Sequence, residues 1–302
     1  MGQRRFELRC RRTPNDAPEV PFIDQIVEST RINCGLRLIS LSCDDLADSE
    51  IRFDRPFLGP NEGALKSRNI HIVFADLTLP AGLLTRLYAT LSADERQHAA
   101  RFHFDQHRSR FIAGRGLLRS ILGAYMGLAP EILQFIYGPN GKPHLQGNPL
   151  QFNVSHSEDY ALYALALDVP LGVDLERLRW SYDLDGIART IFSSAERAEY
   201  RALSRDRRTE AFFRCWTRKE AFIKAIGDGL SYSLDRFDVS LGKHAHLLSL
   251  DGDHERADQW SLYHLSPGEG YVGALAIQTR NFEVYGFRLD GERAWYSSRL
   301  GR

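Results

Sequence analysis

Two helical patterns of similar length, each closed by glycine and followed by strands, constrain the fold of this chain most strongly. Residues 108–126 and 209–226 carry apolar side chains at helical spacing. A shift of 102 residues, which separates Gly127 from Gly229, superimposes the two patterns and the strands after them. The alternative is a coincidental similarity, because any two helix–turn–strand segments share some of these features. The repeat predicts an α+β fold of two pseudo-symmetric halves, with a ligand site in the cleft between them.

Short apolar or alternating runs predict the strands around these helices. They cover residues 70–77, 152–154, 161–167, 171–175, 237–241, 260–265, 271–277 and 282–287. Ser92 and Glu95 form a capping box, which predicts a helix that begins there. We expect the first half at residues 69–170 and the second at 171–302. Residues 1–68 are rich in arginine and proline, and we expect an N-terminal extension that is partly ordered at best.

Charge and composition exclude several classes of protein. The 302 residues include 39 Lys and Arg against 39 Asp and Glu, so the net charge is zero and offers no field for nucleic acid. No apolar run reaches the ~18 residues of a membrane span. The four cysteines have no CxxC spacing, and no apolar signal segment follows the first arginines. We expect a cytoplasmic protein with reduced thiols.

Asp174 and Glu176 stand two residues apart on a predicted strand. The period of a strand places both carboxylates on one face, where their mutual repulsion favours a cation between them. A divalent metal is therefore a candidate ligand. The alternative is an ordinary strand whose polar face meets solvent.

Trp216, Glu220 and Lys224 recur every four residues along the second helical pattern. They share one helix face, and the tryptophan indicates that this face is buried or lines a cleft. The charged pair Glu220 and Lys224 on the same face favours a role in chemistry over one in solvation. The alternative is a solvent-exposed ion pair of a few tenths of a kcal/mol.

The segment FNVSHS (152–157) ends a predicted strand with hydroxyl and imidazole groups. Ser155 and His156 are adjacent, so they point to opposite faces and do not form a nucleophile–base dyad. Their chemistry suits phosphate binding, and Lys142 in the preceding GKP loop would add a point charge. The alternative is a polar turn.

These motifs, in this order, resemble the 4′-phosphopantetheinyl transferases of the two-domain, Sfp-like type. The resemblance covers residues 91–241 and rests on GKP (141–143), FNVSHS, GVDLE (172–176) and WTRKEAFIKAIGDGL (216–230). Each motif is weak alone, and the ordered set is specific. The resemblance implies transfer of the phosphopantetheine arm of coenzyme A to a serine of an apo acyl or peptidyl carrier protein, with release of 3′,5′-ADP. It implies the same two-half fold.

The resemblance also implies roles for individual residues. Asp174, Glu176 and Glu220 would hold Mg²⁺, Glu220 would be the general base, and Lys224 would neutralise charge on the diphosphate. The implied coenzyme A contacts are His98, Arg110, Arg115, Gly141, Lys142, Pro143, Asn153, Ser155, His156, Asp174 and Lys224. The implied partners are coenzyme A and the carrier protein, with neither nucleic acid nor membrane, and the expected state is a monomer.

His98 departs from the resemblance, because many relatives carry lysine or arginine there. A neutral imidazole would weaken coenzyme A binding at higher pH, so His98→Arg is expected to strengthen it. Two other functions stay open. A degenerate relative would bind coenzyme A or a carrier protein without turnover, and a metal-dependent phosphohydrolase would cleave the diphosphate.

Overall fold

The computed structural model describes residues 51, 53–57, 65–180, 183–280 and 282–289. Most of the predicted N-terminal extension, with three of the four cysteines, lies outside these residues. The described helices are α1 (Ala81–Thr90), α2 (Ala93–Arg101), α3 (Asp105–Met126), α4 (Leu184–Ile191), α5 (Ser194–Ala202), α6 (Arg205–Ile226) and α7 (His254–Ala257). None of the helices in the described ranges has the length and hydropathy of a membrane span.

Twelve strands lie along the described chain. They are β1 (Arg55–Pro56), β2 (Asn69–Asp76), β3 (Phe135–Tyr137), β4 (Pro143–Leu145), β5 (Leu150–Ser157), β6 (Tyr160–Leu167), β7 (Leu171–Arg177), β8 (Phe237–Val239), β9 (Leu247–Leu250), β10 (Ser261–Leu265), β11 (Tyr271–Ile277) and β12 (Glu283–Leu289). Three short 3₁₀ helices connect them, at Pro130–Ile132, Gly229–Ser231 and Leu234–Arg236.

The strands form a five-stranded sheet in the order β1-β12-β2-β6-β5 and a three-stranded sheet in the order β10-β11-β7. Apolar residues of α3 pack on the five-stranded sheet, and those of α6 pack in a second core with β11 and the strands β8 and β9. The last strand, β12, leaves the second half and pairs in parallel with β2. The division at residues 69–170 and 171–302 stays a prediction, and this strand crosses it.

The long helices α3 and α6 repeat each other. Both have 22 residues, and both end at a glycine in the left-handed conformation, Gly127 with φ 64° and Gly227 with φ 80°. Only glycine adopts this conformation without strain. The helices therefore correspond at a shift of 100 residues, two fewer than the predicted 102. The prediction of two matching α+β halves is confirmed.

Each half also contains the same buried ion pair. Capping-box residue Glu95 pairs with Arg119 of α3 at 3.0 Å, and capping-box residue Glu196 pairs with Lys219 of α6 at 2.8 Å. Each cation also donates to two backbone carbonyls after its helix; these belong to Pro130 and Leu133 in the first half and to Leu234 and Phe237 in the second. Because these bonds satisfy the buried charges, each pair ties its long helix to the segments on both sides.

Candidate active site at the seam of the two halves

The Asp174 carboxylate lies where β5 of the first half meets β7 and α6 of the second. Its Oδ1 accepts hydrogen bonds from Ser155 Oγ at 2.8 Å and from Lys224 Nζ at 2.6 Å. The Lys224 ammonium also donates to the Ser155 hydroxyl, at 3.0 Å. Three elements therefore converge on one buried carboxylate, and the predicted proximity of Asp174, Ser155 and Lys224 is present.

The Glu176 carboxylate points to the same face of β7 as Asp174. Ser157 Oγ donates to its Oε2 at 2.9 Å, and Trp216 Nε1 donates to its Oε1 at 3.3 Å. Burial and the negative charge of Asp174 together raise the pKa of Glu176 to about 7, against the opposing effects of the Ser157 hydrogen bond, the Lys224 charge and the Trp216 hydrogen bond. Burial and the neighbouring charge thus disfavour two ionised carboxylates on this strand face, and a bound cation would relieve that cost.

Glu220 lies on α6 between two residues that reach the β7 carboxylates. Trp216, one turn before it, contacts Glu176, and Lys224, one turn after it, contacts Asp174. The three share a helix face, as the spacing predicted, and Glu220 is partly buried there. Glu220 therefore faces the seam, although it is not a member of a closed cluster of acids.

The face of β7 that carries Asp174 and Glu176 offers oxygen donors to a divalent cation. Asp174 Oδ2 is buried and has no hydrogen-bond partner within the described part of the chain. Carboxylate oxygens are the donors that Mg²⁺ prefers, and Mg²⁺ keeps several ligands from water or phosphate. No group of three or more His, Cys, Asp or Glu among the described residues is arranged to hold a metal by itself. Asp174 and Glu176 thus fit as two ligands, and Glu220 as a third stays a prediction.

Close packing of α6 on β7 sets these distances. Gly172 of β7 lies against the last turns of α6, where a Cβ atom would stand 2.8 Å from the carbonyl carbon of Lys224. The absence of a side chain at residue 172 lets the helix approach the strand closely enough for Lys224 to reach Asp174.

A cavity of about 340 Å³ lies on the other side of β5, between the β5–β6 hairpin and α3. Its charged and imidazole side chains are His107, Arg110, Arg115, His156, Glu158 and Arg179. Ser155 contacts Asp174 while its neighbour His156 lines this cavity, so the two side chains point to opposite faces as predicted. Three arginines and two histidines thus face one carboxylate, that of Glu158, which pairs with Arg179 at 2.6 Å. These hydrogen-bond donors suit a ligand with several phosphates.

The two predicted arginines of this cavity have acidic partners. Arg110 pairs with Asp159 at 2.5 Å. Arg115 is buried, pairs with Glu95 at 3.0 Å and bonds to the Tyr137 hydroxyl, and desolvation lowers its pKa to about 10. Arg115 therefore also holds α3 against α2.

Comparison with known proteins identifies the family. Residues 170–276 match the family model of the 4′-phosphopantetheinyl transferase superfamily, and residues 82–167 match that of the N-terminal part of 4′-phosphopantetheinyl transferase. The 4′-phosphopantetheinyl transferase HetI of Nostoc sp. is 39% identical over 222 residues, which cover 72% of this chain and 91% of the relative. The chain belongs to the 4′-phosphopantetheinyl transferase superfamily.

Other relatives agree. A 4′-phosphopantetheinyl transferase of Bacillus subtilis is 34% identical over 188 residues, covering 62% of this chain and 83% of the relative. The 4′-phosphopantetheinyl transferase AcpT of Escherichia coli K12 is 40% identical over 172 residues, covering 57% and 82%. The two family models meet near β7, where the carboxylates of this transferase lie.

His98 of this transferase lies behind two phenylalanine rings that line the cavity. Its ring packs against Phe102 and Phe111, with centroids 5.3 and 4.8 Å away, and it does not line the cavity. The structure therefore gives no support to a phosphate contact or to the expected gain from His98→Arg. A phosphate contact of His98 stays a prediction.

The sequence predicts that Lys142 faces phosphate, and the structure places its ammonium among backbone carbonyls. Its ammonium donates to the Leu171 and Ala225 carbonyls, at 3.1 and 3.0 Å, and burial lowers its pKa to about 8. Gly141 forms the preceding turn with φ 78°, and Pro143 begins β4. The GKP loop thus closes the carboxyl end of α6, where a cation is favoured, instead of presenting Lys142 to phosphate.

The lowered pKa of Lys142 predicts a pH-dependent stability. Between pH 8 and 10.5 the unfolded chain binds more protons at this group than the folded chain, so the contribution of Lys142 to stability rises with pH. The free energy of unfolding of the wild type minus that of Lys142→Met should increase by ~2 kcal/mol from pH 7 to 9.5. Urea unfolding at both pH values measures it, and a constant difference would contradict the low pKa.

Sequence reasoning missed four residues of the seam and cavity. Ser157 bonds to Glu176, and His107, Glu158 and Arg179 line the cavity. The alternation in FNVSHS places Ser157 on the same strand face as Ser155, which was the available signal. Asn153, on that face too, accepts a bond from the Val173 amide at 2.8 Å, so it joins β5 to β7 and does not contact the cavity.

Proposed function

We propose that this transferase moves the 4′-phosphopantetheine arm of coenzyme A onto a serine of an apo acyl or peptidyl carrier protein, with Mg²⁺, and releases 3′,5′-ADP. The observation that carries the proposal is the seam, where Ser155, Asp174 and Lys224 from three elements of both halves bond to one another. Because one chain supplies both sides of the seam, we propose that the protein is a monomer. We also propose that it is cytoplasmic.

The reaction forms one bond from the serine Oγ to phosphorus and breaks the bond from that phosphorus to the bridging oxygen. The bridging oxygen and its electron pair leave with 3′,5′-ADP, and the serine proton passes to Glu220. Lys224 supplies positive charge where negative charge grows on the leaving group. Held by Asp174 and Glu176, Mg²⁺ would polarise the diphosphate.

The cationic cavity beside His156 would hold the nucleotide end of coenzyme A. Arg110, His107 and Arg179 line it together with His156. Cationic side chains there would hold the nucleotide end and so help to place the diphosphate at the seam, and positioning accounts for much of the barrier reduction in phosphoryl transfer.

Incubation with coenzyme A, Mg²⁺ and a panel of apo carrier proteins tests the function. Mass spectrometry should show that the carrier gains one phosphopantetheine arm. An unchanged carrier together with bound but intact coenzyme A would instead identify a degenerate relative. Cleaved coenzyme A without carrier modification would identify a phosphohydrolase.

Glu220→Gln is expected to lower the rate of transfer by about 10²- to 10⁴-fold, because glutamine cannot accept the serine proton. The fold should persist, since the amide keeps the size of the side chain. Glu210→Gln is the matched control: Glu210 lies on the same helix, is exposed and pairs with Arg214. Steady-state kinetics with normal turnover for Glu220→Gln would remove Glu220 from the reaction.

A further inference from the structure

The side chains on one face of β5 form four hydrogen bonds to β7. The two strands belong to different sheets and share no backbone ladder. Asn153 accepts the Val173 amide, Ser155 donates to Asp174, and Ser157 bonds to both Glu176 and the Arg177 amide. This row of polar side chains fixes the position of β7 relative to β5.

The direction of the hydrogen bonds at Ser157 is determined by its partners. The backbone amide of Arg177 can only donate, and it does so to Ser157 Oγ at 3.1 Å. The single hydroxyl proton is therefore directed to Glu176 Oε2, 2.9 Å away. Ser157 is buried, so solvent does not compete for this proton.

Ser155 and Ser157 differ in what anchors them. The second partner of Ser155 is the ammonium of Lys224, a point charge at the end of a long side chain on another element. The second partner of Ser157 is a backbone amide one residue beyond Glu176 on the same strand. Ser157 is therefore fixed to the strand that carries the carboxylate it orients.

We propose that Ser157 is a positioning residue that holds Glu176 in the orientation needed to bind the divalent cation. This inference rests on the proposed function. With Ser157 on Oε2 and Trp216 on Oε1, each carboxylate oxygen has one donor and retains a lone pair for a cation. Residues that orient a metal ligand in this way typically change metal affinity 10- to 100-fold when they are removed.

Mn²⁺ binding tests the proposal without turnover. Electron paramagnetic resonance measures free Mn²⁺ during a titration of the folded protein with saturating coenzyme A and no carrier. Ser157→Ala should raise the dissociation constant for Mn²⁺ by ~10- to 100-fold, whereas Ser157→Thr, which keeps the hydroxyl, should restore it to near the wild-type value. In transfer assays Ser157→Ala should need more Mg²⁺, with the KM for coenzyme A unchanged at saturating Mg²⁺.

Ser249→Ala is the matched control. Ser249 is a buried serine of β9 that also donates to a carboxylate, that of Asp238, at 2.8 Å. Its loss should lower stability without a change in Mn²⁺ affinity, which separates loss of a buried bond from loss of orientation. If Ser157→Ala does not fold, Ser157→Cys keeps the volume with a weak donor and should bind Mn²⁺ more weakly than Ser157→Thr.

Equal Mn²⁺ affinity in wild type, Ser157→Ala or Ser157→Cys, and Ser157→Thr would overturn the positioning role. A wild type that neither binds Mn²⁺ nor needs a divalent cation for transfer would instead contradict the metal in the proposed function. The two failures are therefore distinguishable.

Discussion

Gly172→Ala is expected to destabilise this transferase by at least ~3 kcal/mol and to abolish transfer at temperatures where the wild type is active. An alanine Cβ would lie 2.8 Å from the carbonyl carbon of Lys224, and closer still to the Ala221 carbonyl oxygen and the Ala225 amide nitrogen. All three are backbone atoms of α6, so no side-chain rotation relieves the clash. The helix must move away from β7, and Lys224 moves with it.

Gly82→Ala is the matched control for this substitution. Gly82 lies in α1, where a Cβ would meet nothing within 4 Å, and alanine is the better helix former by up to ~1 kcal/mol. The control should therefore match or exceed wild-type stability in urea unfolding. If Gly172→Ala unfolds at the wild-type urea concentration, the close approach of α6 to β7 is not needed for the fold.

The elements with local signals could be predicted from the sequence. Gly127 and Gly227 end α3 and α6 because a left-handed residue stops a helix, and this signal needs no tertiary information. The capping box of Ser92 and Glu95, which begins α2, is likewise a local signal. The strand period also placed Asp174 and Glu176 on one face, which the contacts of both carboxylates confirm.

Partners distant in sequence were not predictable in this way. The alternation at 282–287 indicates a strand but not its neighbour, and β12 pairs with β2 some 200 residues earlier in the chain. Lys142 stands in a loop that looks suited to phosphate, yet it caps a helix from the other half. The helices α1, α4 and α7 were missed because they are short and have no capping box. The helix α5 was missed although Ser193 and Glu196 form a capping box like that of α2.

Lys224→Met should produce the second large effect. The substitution leaves the buried Asp174 carboxylate with Ser155 as its only hydrogen-bond donor, and an unpaired buried charge costs about 3 kcal/mol. It also removes the cation next to the proposed diphosphate, so transfer should fall by about 10²- to 10³-fold. Lys243→Met, at an exposed position, controls for the loss of one charge.

Asp174→Asn combined with Lys224→Met separates the two consequences. The neutral amide no longer needs a cation, so the double variant should regain most of the stability that Lys224→Met loses, and the two substitutions should couple by at least ~1 kcal/mol. Transfer should stay at the level of the single variants, because neither the carboxylate nor the ammonium is restored. Urea unfolding and steady-state kinetics on all four proteins complete the cycle. Additive stability effects would show that the 2.6 Å contact between Lys224 and Asp174 contributes nothing to the stability of the fold. If transfer activity instead recovers together with stability, both residues have a structural role and not a catalytic one.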